Sequence, residues 1–251
     1  MKKLHAALIF FTRLPFWRLG EVPAHYYKRV VDCWSITGWL TGGIMAITLW
    51  LGSFIFPFPV AVILAFISRL LITGALHEDG MADFIDGMGG GTSRSRILEI
   101  MKDSHICTYG VIGLIMYYLL AISLISSLPN AATACAVLFA GDAWSKCCAA
   151  QVINFLPYAR KEEEAKNKTI YDRMSLPAFL ISLIFGALPL LLLPVRLLPA
   201  AILPVIIVTG LIFYLKRNLQ GYTGDCCGAT FLFAELSFYF GVIISSHIAD
   251  I

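Results

Sequence analysis

The chain has 251 residues, 59% of them hydrophobic and only 14% charged, with a formal net charge of +3 and a mean hydropathy of +0.79. These values lie far outside the balance of a soluble domain and indicate a polytopic membrane protein. The small positive excess is explained by membrane topology, and it argues against a nucleic-acid partner.

The opening stretch, MKKLHAALIFFTRLPFW, begins like a signal peptide. Arg13 interrupts its apolar patch, however, and no small-x-small cleavage site follows. A retained interfacial segment over residues 1–30 is expected, with Phe16 and Trp17 at headgroup level. Beyond it, a bilayer core about 30 Å thick takes about 20 apolar residues per helix. Seven runs come near that length: roughly 34–56, 59–76, 109–128, 131–156, 176–195, 197–215 and 229–247. Pro189, Pro194, Pro199 and Pro204 crowd the fifth and sixth, where a tight hairpin is expected around Arg196.

The expected fold is an all-α polytopic membrane bundle of about seven transmembrane helices, forming one membrane-embedded catalytic domain over 1–251. Of the 19 Lys and Arg, 16 fall before the first run or after the second, fourth and sixth. The positive-inside rule then puts the N-terminus in the cytoplasm, with cytoplasmic connections over 77–108, 157–175 and 216–228. The segment KEEEAKNK within the second of these reads as a solvated loop. The seven cysteines are odd in number and form no C-x-x-C pair, so neither a disulfide framework nor a zinc site is expected.

Four polar or glycine-rich stretches fall on that one face: FFTRLP (10–15), HEDGMADFIDGMGGG (77–91), KDSHICTYG (102–110) and GYTGDCCGA (221–229). If the second run continues as helix, Asp79, Asp83 and Asp86 recur at i, i+4 and i+7 within about 60° of arc. Such a stripe of carboxylates repels itself unless a cation sits among them. Hard oxygen ligands on one face suit Mg²⁺ together with substrate phosphates. The alternative is a solvated helix end. Against it stand Gly80, Gly87, Gly89, Gly90 and Gly91, which make sense where backbone N–H groups must approach a phosphate. Glu78 points about 100° away from Asp79 and reads as an outer-lying or solvated acid.

Asp103 with an N-cap-like Ser104, and Asp225 between Gly224 and Gly228, are further candidates, with plain helix capping as the alternative. Inside the runs, Asp142 and Lys146 at i, i+4 are expected to pair or to face a polar cavity. Arg69 and Glu235 are read separately, as snorkelling or structural groups. His77 and His105 lie within motifs.

Together, FFTRLP, LHEDGMADFIDGMGGG, KDSHICTYG, LPYAR (156–160) and GYTGDCCGA resemble the ordered motifs of the adenosylcobinamide-GDP ribazoletransferase (cobalamin 5′-phosphate synthase) family over residues 10–229. Cys107 and His105 depart from the family form, which weakens a phosphate role for their loop. The resemblance implies a multi-pass enzyme of the bacterial cytoplasmic (inner) membrane with its active site facing the cytoplasm. It would join adenosylcobinamide-GDP to α-ribazole or α-ribazole 5′-phosphate with Mg²⁺ and release GMP.

On that reading Asp79, Asp83 and Asp86 hold metal. Arg13, Arg94, Arg96, Lys102, Gly89, Gly90 and Gly224 bind phosphate, and Asp225, Asp103 and His77 are the catalytic candidates. The sequence leaves the oligomeric state open, a homo-oligomer included. A CDP-alcohol phosphotransferase is the rival enzyme, although DGMADF lacks that pattern's arginine. A prenyltransferase normally carries two strong acidic motifs, and a transporter would put its charges near the midplane. The released product separates them: GMP, CMP, pyrophosphate or none.

Overall fold

The computed structural model describes residues 1–103, 105–160 and 170–249; Ser104 and the KEEEAKNK segment lie outside the described residues. Among those described the chain is helical and contains no strand, only an isolated bridge between Tyr158 and Tyr222. Helix α1 (Lys2–Phe11) leads through a 3₁₀ segment (Ala24–Cys33) into α2 (Trp34–Gly52). There follow α3 (Phe58–Thr73), α4 (Leu76–Gly90), α5 (Arg94–Lys102), α6 (Thr108–Ser126), α7 (Ala131–Ala149) and the short α8 (Val152–Phe155). Helix α9 (Leu176–Ala187) passes through two 3₁₀ segments into α10 (Ile202–Asn218), and α11 (Gly224–Ala249) closes the chain.

All seven apolar runs contain helix, in an all-α membrane bundle. Four helical stretches are long and apolar enough to cross a bilayer, and α3 with α4 adds a fifth if that bent pair is one span. Asp142 and Lys146 lower the hydropathy of α7, and α9 gives way to 3₁₀ turns around Pro189 and Pro194. Outward faces of the long helices expose Ile47, Leu71, Ile112, Leu119, Ile206 and Phe213. An apolar outside of this kind is what hydrocarbon solvent requires.

The second run does not continue as helix into the acidic motif. It stops at Thr73, because Gly74 (φ +63°) and Ala75 (φ +56°) both adopt the left-handed conformation. Glycine takes that conformation at no steric cost and commonly ends helices. The Gly74 and Ala75 N–H groups close onto the Leu70 carbonyl, and α4 departs at 91° to α3. The Arg13 side chain lies across Gly74, where a Cβ would collide with Arg13 Nε. The Arg13 N–H donates to the Ile72 carbonyl (2.6 Å). The N-terminal segment is therefore part of the elbow.

Candidate active site

The elbow sends α4 across α11, and two glycines set how closely they cross. A Cβ at Gly80 would lie 3.1 Å from the Asp225 backbone, and one at Gly228 would lie 3.1 Å from the His77 carbonyl oxygen. Small residues at such a crossing let backbones touch. The crossing brings Asp79, exposed in the first turn of α4, and Asp225, in the first turn of α11, into one cleft. Gly80 thus serves helix contact while also lining the cleft.

The cleft is built from six separate stretches of sequence, Tyr171 standing apart from the five that carry the motifs and the start of α2. Phe10 and Phe11 come from FFTRLP, His77 and Asp79 from the acidic motif, Trp34 from the start of α2, Tyr158 and Arg160 from LPYAR, and Gly224 and Asp225 from GYTGDCCGA. Arg160 is buried and donates to the Leu98 carbonyl (2.7 Å) while lining the cleft. Arg160 is absent from the phosphate candidates that the motifs suggest, although LPYAR sits in a positively charged connection that signals it. Burial pushes the Tyr158 phenol up to about 12 despite the nearby Arg160 cation, and it also raises Tyr171. Both phenols therefore act as hydrogen-bond donors at neutral pH.

His77 is 3% exposed and held among Phe11, Trp34 and Phe231. The indole N–H of Trp34 donates to His77 Nε2 (3.4 Å). An indole is a donor only, so Nε2 is the accepting nitrogen and the ring proton sits on Nδ1. Among the described residues Nδ1 has no hydrogen-bond partner, although the atom is buried.

The remaining candidates are dispersed. Asp83 lies one turn beyond Asp79 and is buried. Asp86 is buried too, and its carboxylate accepts the N–H groups of Cys107 and Gly110 (2.8 Å each), closing the N-terminus of α6. This favourable interaction with orphan donors and the helix dipole ties KDSHICTYG to the acidic motif. Asp103 is exposed at the end of α5 and accepts from His105, outside the cleft lining.

Arg94 spends its guanidinium on the carbonyls of Leu219 (2.7 Å) and Ala159 (2.6 Å). It thereby ties three connections to one end of the bundle. Arg96 pairs with Glu99 on the surface (2.8 Å), and Lys102 is exposed. Arg13 lines a hollow beside the cleft, sharing Phe10 and Leu76 with it. Gly89 packs under the Tyr109 ring and Gly90 beside Ile100, both within α4, whereas Gly224 opens into the cleft.

Beneath the cleft lies a buried charge network that corrects two readings and bears out a third. Arg69 and Glu235 are not separate: Arg69 Nη1 meets Glu235 at 2.5 Å, while Nη2 donates to the Tyr117 hydroxyl at 2.9 Å. Tyr117 in turn donates to Glu235. Glu78 is not solvated: it is 4% exposed, accepts from Tyr118 (3.1 Å) and lies 3.5 Å from Arg69, behind the cleft acid Asp79. Asp142 and Lys146 do pair, as their spacing suggested, and Thr41 bonds to both. Arg69 also reaches Asp142 (3.8 Å). The network draws on α2, α3, α4, α6, α7 and α11.

Among the described residues no three His, Cys, Asp or Glu side chains converge as a closed metal cage. Mg²⁺ does not need one, since it keeps several waters and takes one or two carboxylates plus substrate phosphates. Asp79 and Asp225 lining one open cleft with Arg160 fit that demand.

Carboxylates, a buried arginine and an aromatic wall at one end of an all-α bundle define a membrane-embedded enzyme. The sequence model of the cobalamin-5-phosphate synthase family matches residues 3–243, and the chain belongs to that family. The resemblance read from its motifs is thereby borne out, and the chain is a transferase of cobalamin biosynthesis. Among its relatives, the adenosylcobinamide-GDP ribazoletransferase of Shewanella woodyi is 36% identical over 236 residues, covering 93% of this chain and 92% of its own. The protein of that name from Shewanella amazonensis is 35% identical over 242 residues (95% and 93%). The one from Leptospira interrogans is 32% identical over 256 residues (96% and 94%). No solved structure matches.

Proposed function

We propose that this chain joins adenosylcobinamide-GDP to α-ribazole or α-ribazole 5′-phosphate, yielding adenosylcobalamin or its 5′-phosphate and GMP. The reading includes Mg²⁺ dependence, the bacterial inner membrane and a cleft facing the cytoplasm. The observation that carries it is the juxtaposition of Asp79 and Asp225 with Arg160 in one cleft. The orientation is supported by Arg94 gathering the positively charged connections at the cleft end.

In the reaction a ribazole hydroxyl oxygen forms a bond to the cobinamide-side phosphorus. The bond from that phosphorus to the GMP oxygen breaks, GMP leaves with the electron pair, and the hydroxyl proton passes to a base. Such a transfer depends on positioning and charge stabilisation more than on covalent catalysis. Bound Mg²⁺ supplies neutralisation of the diphosphate oxygens. Asp79 and Asp225 would hold it, with Asp83 a turn away and Asp86 fixing the neighbouring α6. Arg160 would bind a phosphoryl oxygen, and the N-terminus of α11 at Gly224 favours an anion there. Of the proton acceptors considered, Asp225 lines the cleft and Asp103 does not. With Nε2 engaged by Trp34, His77 offers a donor rather than a base.

Purified protein in lipid, given adenosylcobinamide-GDP, α-ribazole phosphate and Mg²⁺, should release GMP and stop on EDTA addition. CMP release from a CDP-alcohol, or undiminished turnover in EDTA, would overturn the reading or its metal.

A further inference from the structure

The cleft has two unlike walls. Helices α4 and α11 bring the carboxylates, while α1, the 3₁₀ segment packed on it and the start of α2 bring rings and aliphatic groups. Phe10 stands edge-on to both Phe11 (5.0 Å, 86°) and Tyr171 (6.1 Å, 89°), and Phe11 stacks on Trp34 (5.3 Å, 9°). Val31 and Leu76 extend this wall, and among the described residues no Ser, Thr, Asn or Gln side chain lines the cleft. The polar groups on the aromatic side are the phenol of Tyr171 and the imidazole of His77, whose Nδ1–H is buried without a partner among the described residues. A buried donor left unpaired is destabilising, so a ligand that supplied one acceptor here would relieve that penalty.

We propose that this wall seats the base of the nucleoside acceptor: a flat heteroaromatic base with an apolar rim and one unprotonated ring nitrogen, which accepts the His77 Nδ1–H. The inference rests on the reaction read above and assigns one end of the cleft within it. Guanine, the other aromatic base in that reaction, fits the wall poorly. Its edge carries several donors and acceptors, and burying them against Phe10, Val31 and Leu76 would leave them unpaired. A benzimidazole-type base presents carbon–hydrogen edges and a single accepting nitrogen.

The test is equilibrium binding to the full chain in lipid nanodiscs, titrated separately with α-ribazole, free benzimidazole and GMP. Benzimidazole should compete with α-ribazole and not with GMP. Replacing rings by aliphatic groups in Phe10→Leu/Tyr171→Leu should weaken α-ribazole about tenfold or more, as loss of base stacking does, with GMP affinity unchanged. Tyr171→Phe, which keeps the ring, should bind α-ribazole like the parent. His77→Leu should weaken it, and His77→Asn, which restores a donor near Nδ1, should recover part of the loss. A loss confined to GMP would assign the wall to guanine, and no loss for either ligand would remove the subsite. A parent chain that releases GMP in turnover without binding α-ribazole would also overturn it. α-Ribazole binding with the expected ring dependence but no GMP release from the guanylated donor would support the subsite and sink the reaction instead.

Discussion

Glu78 and Asp79 are sequence neighbours of nearly the same chemistry, and they serve opposite regions. Asp79 faces the open cleft toward Asp225, while Glu78 turns into the buried network and meets Arg69 and Tyr118. One step along a helix rotates a side chain by about 100°, and here that rotation separates an acid available to substrate from one that holds helices together. Water explains the difference in kind. A cleft carboxylate keeps part of its hydration and can trade it for a cation, whereas a buried one must be satisfied by protein partners. Acidity alone therefore says little about function.

The comparison can be broken at either region. In the cleft, Asp225→Asn should lower turnover by several powers of ten, each about 1.4 kcal/mol of barrier, with only a small drop in melting temperature in detergent, since Asp225 also accepts from Thr223 in the first turn of α11. Activity near the parent would remove Asp225 from the chemistry. In the network, Arg69→Leu leaves Glu235, Glu78 and Asp142 without their shared cation, and breaking a buried pair costs about 3 to 5 kcal/mol. Thermal-shift measurements should show a much less stable protein, and a stable, active Arg69→Leu would deny the network its structural role.

Smaller effects sharpen the elbow and the cap between the two regions. Gly74→Ala forces a Cβ into a left-handed residue, at about 1 to 2 kcal/mol, and onto the Arg13 side chain. Both stability and turnover should fall, because the elbow aims α4. Asp86→Ala removes the acceptor for the Cys107 and Gly110 N–H groups and should cost about 0.5 to 2 kcal/mol, as other N-cap losses do. A far larger loss of turnover than of stability in that variant would return Asp86 to the metal site.

The helices, the membrane setting and the convergence of FFTRLP, the acidic motif and GYTGDCCGA were legible because apolar length and charge bias are properties of the sequence itself. The bend at Gly74 was legible in principle, since a glycine just past an apolar run is an ordinary helix stop. The acidic stripe hid it by suggesting one continuous face. What spacing along one helix cannot reveal is which partner arrives from elsewhere. Asp86 meets the N-terminus of α6, Arg94 meets two distant carbonyls, and Glu235 meets Arg69 across 166 positions of chain. Arg160 shares that difficulty: its positively charged connection signals an anion partner but does not announce Asp79 or Asp225.

The division between cleft and network is tested most directly by Glu78→Gln and Asp79→Asn, measured side by side for turnover at saturating Mg²⁺ and for melting temperature. Glu78→Gln should melt lower and lose less than roughly tenfold in turnover per folded molecule, about 1.4 kcal/mol of barrier. Asp79→Asn should melt like the parent and lose several powers of ten. Comparable turnover losses in the two variants, or unimpaired turnover in Asp79→Asn, would contradict the account.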